Sequence, residues 1–573
     1  MDPSSLLVAR VVPDVTGLDK QFDYLVPDGL RDRVAVGSMV RVPLHGRRVG
    51  GWVISLGPPD GSVALDRLVS IAKWSGIGPT PDIIELASWA SRRWGAGRLR
   101  PLLVAASPPS MVGSLPPPST SHPSSHNDVP LPRLVRLPPT GDQLAIVLEA
   151  LGRGPVLVIH PSVDEARRLA ARLRQAGCST ATHPDQWARA AGGVDVVIGG
   201  RSAVWSPCAG MRSIVVLDEH DEALQEERSP TWHARDVAIE RADRAGIPCI
   251  LVSPCPSPTA LVWAGDSFRR SSVSDEREGW PILELVDRTR EEPWKRSLLT
   301  SPLIQHLRNH EQRVICVHNT KGRARLLACR TCKSLQRCEK CQAAVMQDDS
   351  GSLVCQRCLT VRPVVCQTCG SGALSLLRPG VSRLREEIEA AAGRPVGVVT
   401  GDSESLPDCD VLIGTEAVLH RATKADVVAF LDLDAELLAP RYRAGEQAMA
   451  LLARAARIVG GRAEGGRLLV QTFLPRHEVL QAVLHADPSR LAKVELERRQ
   501  LLGLPPFAAL AAVSGTGAGE FAAATGLESS STRDSAGNIV LLRATTWDQL
   551  GAAIAATPRP KGSRLRIEVD PAR

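Results

Sequence analysis

From residue 141 the apolar positions of the chain fall into short blocks, most of them followed by a helical stretch. VLVIH (156–160), VDVVIGG (194–200), SIVVLDEH (213–220) and IPCILVS (247–253) are apolar on consecutive positions, as strands buried on both faces are. SVDEARRLAARLRQAG follows the first block with Ser162 and Glu165 spaced as a capping box and Gly177 as its stop. A second set repeats the texture: RVICVH (313–318), RPVGVVTGD (394–402), DVLIGTE (410–416), VVAFLDLD (427–434) and GRLLVQT (466–472). Strands alternating with helices predict two tandem parallel-sheet lobes, over 141–275 and over 276–327 with 373–475. Residues 1–106 have another rhythm. GSMVRVPLHGRRVGGWVISLG alternates apolar and polar around glycines, which predicts a β-rich unit, and TPDIIELASWASRRW predicts a helix with Thr80 at its cap and Pro81 first. Residues 107–140 hold ten prolines and many serines and read as an extended, disordered linker. Residues 476–573 return to an α+β texture that ends in the strand RLRIEVD.

Composition narrows the class. The 573 residues are 43% hydrophobic and 23% charged, which suits a soluble multidomain α/β protein. No apolar run reaches about 18 residues, and the N-terminus lacks the basic start of a signal peptide. A cytoplasmic protein with no membrane partner is expected.

The net charge of +7 matters less than its placement. Residues 321–378 carry 10 Lys/Arg against 3 Asp/Glu. Such a patch suits a polyanion, or it offsets the negative charge of metal-bound thiolates, and both readings stand.

The same segment holds the strongest chemical signal. Eight of the 14 cysteines lie between 329 and 369 as four Cys-x-x-Cys pairs: Cys329/Cys332, Cys338/Cys341, Cys355/Cys358 and Cys366/Cys369. Each pair spans one edge of a zinc tetrahedron, and two pairs close a structural site, so four pairs predict two zinc ions in a ribbon over 328–372. Disulfides do not suit a cytosolic chain, and a redox role needs one pair beside a βαβ unit. Cys249 and Cys316 sit in apolar blocks and read as core residues.

Taken together, these segments resemble the PriA family of replication-restart helicases (primosomal protein N′). FDYLVPDGL (22–30) with GSMVRVPLHGRRVGGWVI (37–54) resembles that family's domain for DNA 3′ ends. IGGRSAVWSP (198–207), LDEHDEALQEERSPTWHARDVAIERA (217–242), VLIGTEAVLH, LDLDAELLAPRYRAGEQ (431–447), ERRQLLGLPPF (497–507) and IEVDP (567–571) continue the likeness through two helicase-like lobes to the C-terminus. The resemblance implies a nested zinc module, with Cys329, Cys332, Cys366 and Cys369 on one ion and Cys338, Cys341, Cys355 and Cys358 on the other. It also implies that Phe22 stacks on a base and Asp23 accepts a bond from a 3′-hydroxyl. A lysine of the family falls on Val69, with Lys73 nearby. Implied partners are forked DNA and its 3′ ends, single-strand DNA-binding protein, and the replicative helicase or its loader.

Departures from the family bear on activity. A P-loop cradles phosphates with backbone amides and a lysine, and no Gly-Lys pair occurs in the chain. The sequence runs through PPTGDQLAIVLEALGRG to VLVIH, which reads as excision of the loop. A winged-helix segment of the family is replaced by 107–140. The acidic box survives as Asp218, Glu219 and His220 and reads as vestigial. The coupling Ser-Ala-Thr appears as Ser253-Pro254-Cys255, where proline removes a donor. The arginine-finger motif falls on RAARIVGG (454–461), with its two arginines aligned to Ile458 and Gly461. No ATP or Mg²⁺ cofactor and no catalysis are expected. The expectation is a DNA-binding restart protein that helps reload the replicative helicase. Its rivals are an ATP-dependent 3′→5′ helicase with a non-standard nucleotide site, and a zinc-ribbon protein working through protein contacts.

Overall fold

The computed structural model describes residues 6–571 apart from 19, 62, 122–129, 291–297, 320–326, 349–350, 356–357, 359, 377–380, 402, 404 and 535–536. The chain opens with a six-stranded sheet in the order Val69–Ser70, Phe22–Leu25, Val8–Pro13, Arg47–Gly57, Met39–Leu44, Lys73–Gly76. Its inner side is filled by Val11, Tyr24, Val40, Val42, Val53 and Ile71. The helix Pro81–Arg93 follows, with proline in its first turn as the sequence predicts.

The first lobe is a seven-stranded parallel sheet. Its order is Phe268–Arg270, Leu134–Arg136, Cys249–Ser253, Ser213–Leu217, Val156–Ile159, Val196–Gly199, Thr180–His183. Successive side chains leave a strand on opposite faces. Val156, Val158, Ile198, Val215, Leu217 and Val252 therefore pack under the helices Gln143–Leu151 and Val163–Gln175. Leu157, Ile159, Val197, Ile214, Val216 and Leu251 pack on the other face with Trp205, Trp232 and the helix Ala234–Ala245. Both faces being covered is why these strands lack alternation in the sequence. Ser162 accepts from the Glu165 N–H at 3.3 Å, as expected of its cap.

The second lobe repeats the plan with six parallel strands in the order Ile282–Asp287, Arg467–Thr472, Val427–Phe430, Val314–Val317, Val411–Gly414, Val396–Val399. Cys249 and Cys316 lie in the cores, and burial pushes the Cys316 thiol up to about 12. The C-terminal unit is an antiparallel sheet ordered Glu528–Asp534, Gly537–Ala544, Ala509–Thr516, Arg564–Val569. Its helix Trp547–Ala556 packs on Pro81–Arg93 so closely that a Cβ on Gly551 would lie 2.3 Å from the Arg92 carbonyl. No helix among the described residues is long and apolar enough to cross a membrane.

The segment 107–140 departs from its expectation as a disordered linker. Leu134–Arg136 is a central strand of the first-lobe sheet, so that lobe begins before residue 141. Residues ahead of the undescribed stretch 122–129 lie against the lobe. The buried Asp195 carboxylate accepts from Ser121 N at 2.9 Å and Ser121 Oγ at 2.5 Å, and Ser119 N donates to Gly193 O at 2.9 Å. A buried carboxylate must be hydrogen-bonded. Asp195 finds donors in a segment whose composition alone suggests freedom.

His233 caps the helix Ala234–Ala245, its Nδ1 accepting from Arg235 N at 3.2 Å. Burial, with the charge of Arg235 adding to it, lowers its pKa to about 3. The folded state keeps this ring neutral while the unfolded chain protonates it below about 6.5. Its contribution is complete above that pH and is lost as pH falls toward 3, at up to about 1.4 kcal/mol per pH unit. His233→Asn, which keeps an acceptor at the cap, should flatten the fall in unfolding free energy between pH 6.5 and 4.5. Denaturant titrations across that range measure it, and equal slopes in the two proteins would contradict the assignment.

Candidate functional site

The cleft between the lobes is built from the ends of parallel strands, where open α/β sheets place their ligand sites. The strand Leu134–Arg136 leads through residues 137–142 into the helix Gln143–Leu151. A loop of six residues thus stands between strand and helix where the sequence alone reads as a passage from linker to strand. Its sequence is Leu-Pro-Pro-Thr-Gly-Asp, and Pro138 and Pro139 have no N–H to offer a phosphate. Pro138 packs on Gly279, where a Cβ would come within 2.6 Å of its ring. Thr140 Oγ1 donates to the Gly279 carbonyl at 3.3 Å.

The strand Ser213–Leu217 delivers the acidic box, and the structure splits it. Asp218, at φ +49°, faces the cleft. Its carboxylate accepts from Arg457 Nη1 at 2.6 Å and Nη2 at 2.8 Å and from Gln143 Nε2 at 3.2 Å, with His160 Nε2 at 3.5 Å. Glu219 turns into the core, accepting from Ser257 N at 2.7 Å, Ser257 Oγ at 2.8 Å and Arg235 Nη1 at 3.3 Å. His220 Nδ1 lies 2.8 Å from Ser253 Oγ, which also accepts from Cys255 N at 3.0 Å. The two carboxylates thus serve different partners. Burial alone would raise the pKa of Asp218, but the charge and hydrogen bonds of Arg457 outweigh it and hold the group well below the usual carboxylate range. Burial lowers the pKa of His160 beside it.

The helix Ala444–Val459 supplies the opposite wall and a correction. Ile458 is buried in the second-lobe core, and a Cβ on Gly461 would lie 2.3 Å from Glu278 O, so neither faces the cleft. Arg454 and Arg457, one helical turn apart, do. Arg457 also donates Nε to Pro139 O at 3.1 Å. Arg454 pairs with Asp221 and lies 3.0 Å from His420 Nδ1. The signal in the sequence was Arg-Ala-Ala-Arg, whose spacing puts both guanidinia on one face. Beside these pairs opens a cavity of about 540 Å³ whose walls include Asp221, Glu226, Glu416, His420, Arg454 and Glu568. Arg201 and Arg566 line it as well, so both signs of charge face the cavity.

The cysteine ribbon hangs from the second lobe, with Ala344 N bonded to Leu438 O at 3.2 Å. A short antiparallel pair, Leu327–Cys329 with Leu374–Leu376, frames a three-stranded sheet of Val345–Gln347, Leu353–Cys355 and Val361–Arg362. The sulfurs of Cys329, Cys332, Cys366 and Cys369 lie within 4.8 Å of one another, as do those of Cys338, Cys341, Cys355 and Cys358. Sulfur pairs at 3.3 to 3.6 Å are close to the roughly 3.7 Å edge of a tetrahedron with bonds of about 2.3 Å. Thr331 N and Thr368 N point at Cys329 Sγ and Cys366 Sγ at 3.3 and 3.4 Å, as suits thiolates. Both clusters could hold a metal ion, and an all-sulfur set of four fits zinc. Of the basic patch, Arg330 and Lys340 are exposed, while Lys321, Arg323, Arg325, Arg357 and Arg378 lie outside the described residues.

In the N-terminal unit the strand Phe22–Leu25 separates the two residues singled out there. Phe22 and Tyr24 face the sheet's core, where Tyr24 is buried. Asp23 faces a cavity of about 110 Å³ lined also by Arg10, Ser55, Pro58 and Asp60. Arg10 donates to both Asp23 oxygens at 2.8 and 3.0 Å and to Asp60 at 2.9 Å. Val69 is an exposed edge residue opposite Tyr24, and Lys73 sits on the strand at the far end of the sheet order, away from this cavity. Arg10 was not singled out by the sequence; pairing across neighbouring strands reveals it.

Residues 10–104 match the family model of the PriA 3′ DNA-binding domain. Curated relatives extend the likeness. The chain is 28% identical to the probable replication restart protein PriA of Mycobacterium leprae, over 88% of this chain and 86% of that one. This chain is similar to PriA proteins over most of its length. Replication restart protein PriA of Synechocystis is 27% identical, with 64% of this chain matching 50% of it, and that of Thermotoga maritima is 27% identical, with 62% matching 52%. The chain thus spans about half the length of these two PriA proteins. Solved structures that align with it include yeast Dbp5 bound to RNA and ADP BeF3, at 12% identity and a TM-score of 0.37 over 74% of this chain and 98% of that one. RecG bound to a three-way DNA junction aligns at 12% and 0.37, over 65% and 44%.

The cysteine geometry has a measurable consequence. Elemental analysis should give two zinc ions per chain. Cys338→Ser with Cys355→Ser should leave one, because both residues belong to one cluster. Loss of both ions would mean that the pairs combine in sequence order instead.

Proposed function

We propose that this protein is a DNA-binding platform of replication restart that works without hydrolysing ATP. It recognises forked or abandoned replication-fork DNA through the N-terminal unit and the zinc ribbon, and helps reload the replicative helicase. The PriA relatives and the 3′ DNA-binding match support a restart role and DNA as partner. Single-strand DNA-binding protein and the helicase or its loader are the expected protein partners, in the cytoplasm. The absence of turnover rests on one observation: the loop at 137–142 offers two prolines and no lysine, and Arg457 fills the space between it and Asp218. Phosphoryl transfer is catalysed by positioning and charge stabilisation, so a cleft without a phosphate cradle has little to contribute.

A second reading, an ATP-dependent 3′→5′ helicase with a non-standard site, draws on Arg454 and Arg457, which face the acidic box as transition-state arginines do. One assay separates the two. Zinc-replete protein that binds forked DNA should hydrolyse ATP no faster than its Asp218→Asn variant. Turnover well above that control would establish the helicase.

DNA binding should follow the phosphates, with log affinity falling against log salt by about 0.9 per phosphate neutralised on duplex arms. Asp23→Ala should erase preference for a free 3′ end while leaving affinity for blocked ends within about twofold, since Asp23 lines the cavity and can accept from a 3′-hydroxyl. Equal losses on free and blocked ends, measured by fluorescence anisotropy, would count against a 3′-end pocket there.

A further inference from the structure

We propose that Arg457 is a permanent strut between the lobes, taking the place of metal and phosphates and holding the cleft closed with nothing bound. This inference rests on the reading that the cleft takes no nucleotide. In a two-lobed motor the bridge between lobes is the ligand: loop amides and an acidic residue of one lobe hold phosphates and Mg²⁺, and arginines of the other lobe reach the same phosphates. Closure then depends on occupancy, which gives the motor its two states.

Here the chain itself supplies a bridge across the cleft. One guanidinium on the second lobe engages both halves of the first-lobe site, the loop through Pro139 O and the strand end through both oxygens of Asp218. Its fork and plane match a carboxylate bidentately. The acceptor is almost wholly buried, so without this partner a carboxylate would stand uncompensated in a poorly solvated site. Arginine stays protonated throughout the accessible pH range, so the tie does not titrate away. Arg454 makes a second tie to Asp221 on the same helical face. Asp218 also meets Gln143 and His160, and Arg454 meets His420. Burial lowers the pKa of both imidazoles, so the cleft's charge balance is carried by two guanidinium–carboxylate pairs. A metal binding Asp218 would compete with Arg457 for both carboxylate oxygens.

The test is hydrogen exchange on the full, zinc-loaded chain. Wild-type amides of 140–142, 218–223 and 454–459 should exchange identically with and without Mg²⁺ and a non-hydrolysable ATP analogue. Arg457→Ala should raise exchange on both sides of the cleft by about tenfold, the equivalent of about 1.4 kcal/mol of opening free energy. Arg457→Lys, which keeps the charge and loses the fork, should fall between, and serves if the alanine variant does not fold. Wild-type exchange in both variants overturns the strut alone, whatever the nucleotide does. Protection of the wild-type cleft by the analogue, with Arg457→Ala still opened, overturns the nucleotide-free reading and the permanence of the strut while leaving the lobe contact itself intact.

Discussion

The arrangement of the whole chain depends on a carboxylate that has no water to turn to. Asp570, near the end of the chain, is buried where the C-terminal sheet meets both lobes. It accepts from Tyr442 Oη at 3.0 Å and from Arg443, and its backbone is pinned by Leu510 O at 2.9 Å and Gln225 Nε2 at 2.8 Å. Burial would raise its pKa, but Arg443 and Arg235 outweigh that and hold it down to about 2. The network continues through Arg235 to Asp236 at 2.9 Å and Glu219 at 3.3 Å, and Asp236 lies 4.0 Å from Arg93, whose guanidinium stacks on Trp547 at 4.0 Å. Four units therefore share one set of buried charges. Such a set adds little net stability over an apolar contact, but breaking any member strands another charge, so it fixes one docking geometry.

That geometry explains what the sequence could and could not convey. The interior strands were legible because burial on both faces demands unbroken apolar runs, and the cysteines because tetrahedral sulfur chemistry demands its spacing. The strands Leu134–Arg136, Thr180–His183 and Phe268–Arg270 were not. Leu134–Arg136 ends in a buried arginine whose partner, Glu276 at 2.6 Å, lies far along the chain. An arginine in a proline-rich stretch reads as linker until that partner is known. Missing this strand is also what made the chain there read as a passage from linker to strand.

The cleft arginines were misread for a related reason. Within RAARIVGG the only glycines, Gly460 and Gly461, follow the helix, whereas Arg454 and Arg457 lie within it among alanines. Helical geometry settles the matter on physical grounds, because residues three apart share a face and Ile458 belongs to the core. Phe22 and Asp23 show the corresponding limit in a strand. Neighbours in sequence must point to opposite faces, so both could not line one pocket from a regular strand.

Asp218 poses the same problem of a buried charge at the cleft between the lobes. Without a partner, Asp218 would stand as an uncompensated charge buried at the end of its strand. Such a group either protonates or finds a cation. Arg457 is the cation within reach, already placed on the facing helix, and the Pro139 carbonyl accepts its third bond. The same arginine that would stabilise a transition state in a motor thus becomes the counter-ion of the ground state. On this argument the loop and the pair are one device. Arg457 joins them, reaching the loop through Pro139 O and the strand end through both oxygens of Asp218.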